Sequence, residues 1–134
     1  MTKNIPGVAE KVCTHCGDTR PIDDFRKDTH YVDGHHSWCT RCRYAATNAW
    51  NKRVRQETIG HYGGSCACCG ELEFAFLCID HINGGGHRQR KAEVSGMPAN
   101  WWRSRGYPEG FQVLCYNCNL AKGIYGICPH EGGA

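Results

Sequence analysis

No stretch of this 134-residue chain approaches the ~18 consecutive apolar residues of a membrane helix. The first residues, Met-Thr-Lys-Asn-Ile-Pro-Gly, lack the apolar run of a secretory signal. Apolar content is modest and glycine is abundant, at 17 residues, so a large hydrophobic core is not expected. Small cores need staples. No charge of one sign dominates either. A formal net charge of +3 says little about partners by itself, and no repeat extends beyond the paired cysteine motifs described next. The length suits one ordinary domain or two small ones.

What the chain has is cysteine. Eight of its 11 cysteines fall into four Cys-x-x-Cys pairs: Cys13/Cys16, Cys39/Cys42, Cys66/Cys69 and Cys115/Cys118. An odd count, this spacing and the missing secretory signal favour metal over disulfides, and with it a reduced cytosolic location. Two thiolates three positions apart reach one ion at ~2.3 Å only when a turn brings them together. Four such turns supply two four-cysteine zinc sites. In sequence order these are Cys13/Cys16 with Cys39/Cys42, and Cys66/Cys69 with Cys115/Cys118; spacing also permits a crossed pairing. Full thiolate shells make both zincs structural. Cys68 competes with Cys69 for the third turn, but Cys69-Gly70 repeats Cys16-Gly17. Cys78 reads as a strand residue, and Cys128, near His130, as a plain thiol rather than a ligand.

The expected class is small, zinc-stabilised α+β. Residues 1–43 form a treble-clef or zinc-ribbon unit, with a hairpin turning at Asp33-Gly34. A basic linking helix is assigned to 44–60, from a helical pattern over roughly 40–59 that Gly60 ends. Ala46, Trp50 and Val54 form its apolar stripe, expected to dock one zinc unit onto the next. Lys52, Arg53 and Arg55 occupy other faces. The second unit covers 61–127, followed by a tail over 128–134. Within it, Phe74–Ile79 reads as a strand ending at Asp80-His81, and the Asn83–Gly86 run as a loop. A short helix is expected over 98–105, a second strand over Phe111–Cys115, and a last helix from Cys118 that ends near Gly123.

Asp80-His81 and Asn119 carry the chemistry. Phosphodiester hydrolysis needs a base to activate water and a cation to stabilise charge on phosphate. An imidazole such as that of His81 suits the base. Asp80 suits a hard cation such as Mg²⁺ or Mn²⁺, and the Asn119 amide oxygen, at the start of the last helix, can share it. Neighbours on an ideal strand face opposite ways, so the strand is expected to end or twist at Asp80-His81. Basic clusters interleaved with aromatics suit a phosphate backbone. Lys52, Arg53 and Arg55 form one. After the glycine run, His87 and Arg88 are candidate phosphate contacts, as is Lys122 one turn beyond Asn119. Trp101-Trp102 reads as core for at least one ring.

The segments Cys66-x-x-Cys69-Gly70, Ile79-Asp80-His81-Ile82-Asn83-Gly84-Gly85-Gly86 and Gly110 to Gly123 together resemble the HNH, or His-Me finger, endonucleases. Zinc-bound ββα-metal nucleases common in bacteriophages are the nearest type. The likeness covers about half the chain, and residues 1–43 resemble, more loosely, the treble-clef module that often precedes such nucleases. By position, the resemblance implies that His81 is the base and Asp80 a metal ligand. Asn119 stands at the family's last His, as in the HNN variant, where it binds the metal. The family's middle Asn would fall near Gly110 and is absent. The implied activity is nicking or double-strand cleavage of DNA with Mg²⁺ or Mn²⁺, in a host cytoplasm if phage-encoded, alongside phage packaging or recombination proteins. The alternative is a non-catalytic zinc-ribbon nucleic-acid-binding protein, and a third option is a redox protein with zinc-free thiols.

Overall fold

The computed structural model describes residues 9–85 and 100–132. The chain divides into two compact units, Met1–Trp50 and Asn51–Ala134. Among the described residues, no helix is long and apolar enough to cross a membrane.

The first unit is built from two small hairpins. Strands β1 (Glu10–Val12) and β2 (Thr19–Pro21) pair antiparallel, with Val12 opposite Thr19. The first cysteine turn fills the loop between them. Gly17 donates to the Cys13 carbonyl at 2.8 Å with φ +78°, a left-handed conformation that glycine adopts without a Cβ penalty. After a 3-10 turn at Ile22–Asp24, β3 (Phe25–Lys27) pairs with β4 (His35–Cys39) across a bulge. The turn before β4 uses Asp33-Gly34, with Gly34 at φ +73°, as the sequence suggests. Cys39 ends β4, and helix α1 (Thr40–His61) starts at the next residue. The small core consists of Cys13, Phe25, Cys39 and Cys42, with Trp38 packed against it.

The apolar stripe of α1 is not continuous. Ala46 is exposed and Trp50 is 37% exposed, whereas Val54, Thr58 and Ile59 are buried. Along this stripe burial therefore begins about two turns later than the Ala46/Trp50/Val54 spacing implies. Only the helix's last two turns carry residues that fit beneath the second unit's sheet, and Ile59 belongs to that unit's core.

That sheet pairs β5 (Leu77–His81) with β6 (Phe111–Cys115), antiparallel and in register from Leu77↔Cys115 to His81↔Phe111. Phe74–Phe76 is a 3-10 turn rather than strand, because the Glu73 carboxylate accepts the Ala75 N–H and caps a helical start. The strand ends at Asp80-His81, as the sequence suggests, with both residues still paired within it. A four-residue helix, α2 (Trp101–Ser104), precedes β6, while Pro98 lies outside the described residues. Helix α3 (Tyr116–Tyr125) follows β6 directly. It runs through Gly123 and ends at Gly126, whose φ of +78° forms the left-handed cap. Ile59, Cys66, Leu77, Val113, Leu114, Cys115, Cys118 and Cys128 make the core. Trp101 is 5% exposed, which accounts for it as core.

Candidate metal centres and the adjoining cleft

The four cysteine turns converge in sequence order. Cys13, Cys16, Cys39 and Cys42 form one group of ligand atoms, and Cys66, Cys69, Cys115 and Cys118 another, all within 4.8 Å of one another in each group. Each group joins a turn, in the β1–β2 loop for the first and after α1 for the second, to a strand-to-helix corner. Such sets can hold zinc. Zn–S bonds of ~2.3 Å put the sulfur–sulfur edge of a tetrahedron near ~3.8 Å, and Cys69 Sγ stands 3.7 Å from Cys115 Sγ.

Backbone donors prepare these thiols. Burial opposes ionisation of Cys13, but N–H groups of Cys16, Cys39 and His15 outweigh it and bring its pKa down to about 6. The Cys39 N–H, for one, lies 3.2 Å from Cys13 Sγ. Cys66 follows the same rule: burial raises it, while N–H groups of Cys69, Cys115 and Cys68 lower it to about 6. Burial and neighbouring thiols push Cys42 up to about 12. Cys13 and Cys66 thus form thiolates readily, and at Cys42 a bound cation would replace the proton. Cys115 has a second task as N-cap of α3, accepting the Cys118 N–H at 3.4 Å.

A third group appears that the spacing did not single out. Cys68, Cys118, Cys128 and His130 also lie with their ligand atoms within 4.8 Å of one another. Cys128, assigned above to a tail and read as a plain thiol, is 3% exposed and joins the core. Its carbonyl accepts the N–H groups of Glu131 at 2.9 Å and Gly132 at 3.2 Å, a turn that folds His130 back over it. The sequence signal available was Cys-x-His, whose short spacing fits a reversal of the chain. Cys78, meanwhile, is half-buried on β5, where its thiol donates to the Leu114 carbonyl at 3.3 Å.

Beside the second group lies a cleft of about 390 Å³, lined by Asp80, Asn83, Asn119 and Lys122 among others. Asp80 and Asn119 come from β5 and α3. The hairpin brings Asp80 there because it pairs with Gln112, whose amide donates to Asp80 Oδ2 at 3.0 Å. Lys122 also reaches Oδ2, at 2.5 Å, and donates to the carbonyls of His81 at 2.8 Å and Ile82 at 3.1 Å. Asn119 Nδ2 donates to Cys78 Sγ at 3.4 Å, which turns the amide oxygen away from that sulfur.

His81 does not share this wall. Strand alternation sends its side chain to the opposite face from Asp80, where its ring packs on Phe111 at a centroid distance of 4.7 Å. Trp101 and Trp102 close on the same Phe111 ring at 5.7 and 5.9 Å. Of the expected phosphate contacts, Lys52 and Arg53 are exposed on α1. Arg55 is committed to the fold: it donates to the Leu77 carbonyl and to the Tyr116 hydroxyl, and stacks over Phe74 at 4.6 Å. His87 and Arg88 lie outside the described residues. Comparison of the chain with protein-family models, with curated proteins and with solved structures finds no match.

Proposed function

We propose that the second unit is a divalent-cation-dependent DNA endonuclease of the HNH type, and that its cysteine group is a structural frame for the reacting residues. One observation carries the reading: Asp80 on β5 and Asn119 on α3 line a single cleft, on a hairpin and helix whose junction is a four-cysteine group. A carboxylate and an amide oxygen are the hard donors that Mg²⁺ or Mn²⁺ takes, so the residues fit such an ion. When bound there, the cation would supply charge stabilisation at the phosphate and the departing 3′ oxygen. His81, last residue of β5, is the base that accepts the proton of the attacking water. Phe111, standing near where the family's middle Asn would fall, braces its ring. Lys122 neutralises Asp80 within the same cleft, and it would donate to a phosphate there by releasing one of its three acceptors. The exposed Lys52 and Arg53 hold DNA by its backbone, which makes affinity salt-dependent and weakly sequence-selective. The phage setting, with packaging or recombination partners, belongs to this reading.

Plasmid nicking by zinc-replete protein in Mg²⁺ or Mn²⁺ tests it. His81→Ala abolishes cleavage and leaves zinc content unchanged; a variant that cuts like the parent removes His81 from its role. The opposed faces of Asp80 and His81 on β5 favour a second reading, a zinc-stabilised protein that binds nucleic acid without cutting it. That reading expects DNA retention without cleavage under any divalent cation, and indifference to Asp80→Ala.

A further inference from the structure

We propose that the second unit holds a binuclear zinc centre in which the Cys118 thiolate bridges two ions. One ion takes Cys66, Cys69, Cys115 and Cys118; the other takes Cys68, Cys118, Cys128 and His130. This does not depend on the nuclease reading, only on zinc at the four-cysteine group.

Geometry is the first support. Cys118 Sγ belongs to both sets of ligand atoms, each confined within 4.8 Å. Zn–S near ~2.3 Å and Zn–N near ~2.05 Å give a sulfur–nitrogen edge of ~3.6 Å in a tetrahedron. His130 Nδ1 stands 3.4 Å from Cys118 Sγ, 3.6 Å from Cys128 Sγ and 3.8 Å from Cys68 Sγ. One ring nitrogen this close to three sulfurs cannot make three good hydrogen bonds, because it offers one hydrogen or one lone pair. A shared metal ion satisfies all four atoms.

Burial is the second support. From Gly123 to Gly132 only Cys128 is buried, so no apolar side chain other than this thiol anchors the segment after α3. Without an ion, what returns His130 to the cysteine groups is a two-bond turn at Cys128. Adjacent residues also divide their labour in the way two ions require: Cys69 faces one group and Cys68 the other.

The charges balance. Binding of the second Zn²⁺ displaces the protons of Cys68 and Cys128, while His130 binds as neutral imidazole through Nδ1. Total charge is unchanged and two protons leave to solvent.

Protein equilibrated with excess Zn²⁺ and then desalted should carry three zincs per chain by elemental analysis, one of them in the first unit. His130→Ala, a surface change, and Cys128→Ser should each lower the count to two while the far-UV spectrum is retained. With ¹¹³Cd in place of zinc, the two resonances of the second unit should show scalar coupling through the Cys118 sulfur, and Cys128→Ser should abolish it. Two metals per chain in the parent, or an unchanged count in His130→Ala, overturns the proposal. Three metals without cadmium–cadmium coupling overturns the bridge.

Discussion

Lys122 Nζ lies 2.5 Å from Asp80 Oδ2, an ion pair that joins α3 to β5 within the cleft. The two side chains are 22% and 13% exposed, so solvent screens the attraction only in part. An ammonium and a divalent cation compete for the same carboxylate. Lys122→Met should therefore tighten Mn²⁺ binding by about tenfold, corresponding to ~1.4 kcal/mol. Asp80→Asn should weaken it by at least as much. Mn²⁺ titration followed by electron paramagnetic resonance, on zinc-replete protein, reads both. Weaker binding in Lys122→Met would mean that the lysine supports the cation rather than opposing it.

Each compact unit has its own cysteine group, and neither has a core large enough to dispense with it. A structural zinc carries on the order of 10 kcal/mol of folding free energy in small domains. Cys39→Ser should lose one zinc and disperse no signals in amide spectra for residues 9–50, while residues 51–132 keep theirs. A loss of order across both units would show that they fold together.

The cysteine groups were legible because a Cys-x-x-Cys turn is a local device: spacing alone implies convergence, and four turns leave few pairings. The hairpin of β5 and β6 was legible for a similar reason, as two short apolar runs. What escaped the sequence depended on tertiary choice. Nothing in the Ala46/Trp50/Val54 spacing says which turn of a long helix meets a core, and of these three only Val54 is buried. Phe74–Phe76 has strand-like composition, but the Glu73 cap diverts it. Cys128 and His130 looked like a tail because Cys68, which lies beside His130 in the fold, is remote in sequence. The opposed faces of Asp80 and His81 follow from strand alternation, which holds to the end of β5 instead of yielding to the glycines after it.

Two glycines near the end of α3 have opposite roles. Gly123 lies within the helix and a Cβ there would meet nothing within 4 Å; Gly126 has equally open space but a φ of +78°. Gly123→Ala should stabilise the protein by ~0.5–1 kcal/mol through helix propensity and a less mobile unfolded chain. Gly126→Ala should destabilise it by ~1 kcal/mol, since alanine disfavours the left-handed cap. Thermal denaturation of the zinc-bound protein separates them by sign. Equal destabilisation would place the helix end at Gly123.

Lys11 holds the first unit from one side. Its ammonium lies 2.5 Å from Asp33 Oδ2, donates to the His35 carbonyl at 2.8 Å, and stands 5.6 Å from the ring centroids of both Phe25 and Tyr31. The pair links β1 to the turn before β4, two hairpins that otherwise share few bonds. The hydrogen bond from Lys11 is the chief reason that the Asp33 carboxyl sits below the usual carboxylate range; burial opposes it, and the His35 N–H assists. A carboxylate whose folded pKa is depressed contributes stability above its unfolded value, ~3.9, and loses it as pH falls through the folded one. The contribution should therefore be constant between about pH 6 and 8, where Asp33 is ionised in both states. Lys11→Met should cost about 1–2 kcal/mol, because it strands a half-buried carboxylate and removes a donor from His35. Asp33→Asn should cost less, since Lys11 keeps the His35 carbonyl and both rings. Melting curves of the two variants and the double variant give the coupling between them. A cost for Lys11→Met that is equal in the absence of Asp33 would assign the effect to the ring contacts and the His35 carbonyl instead.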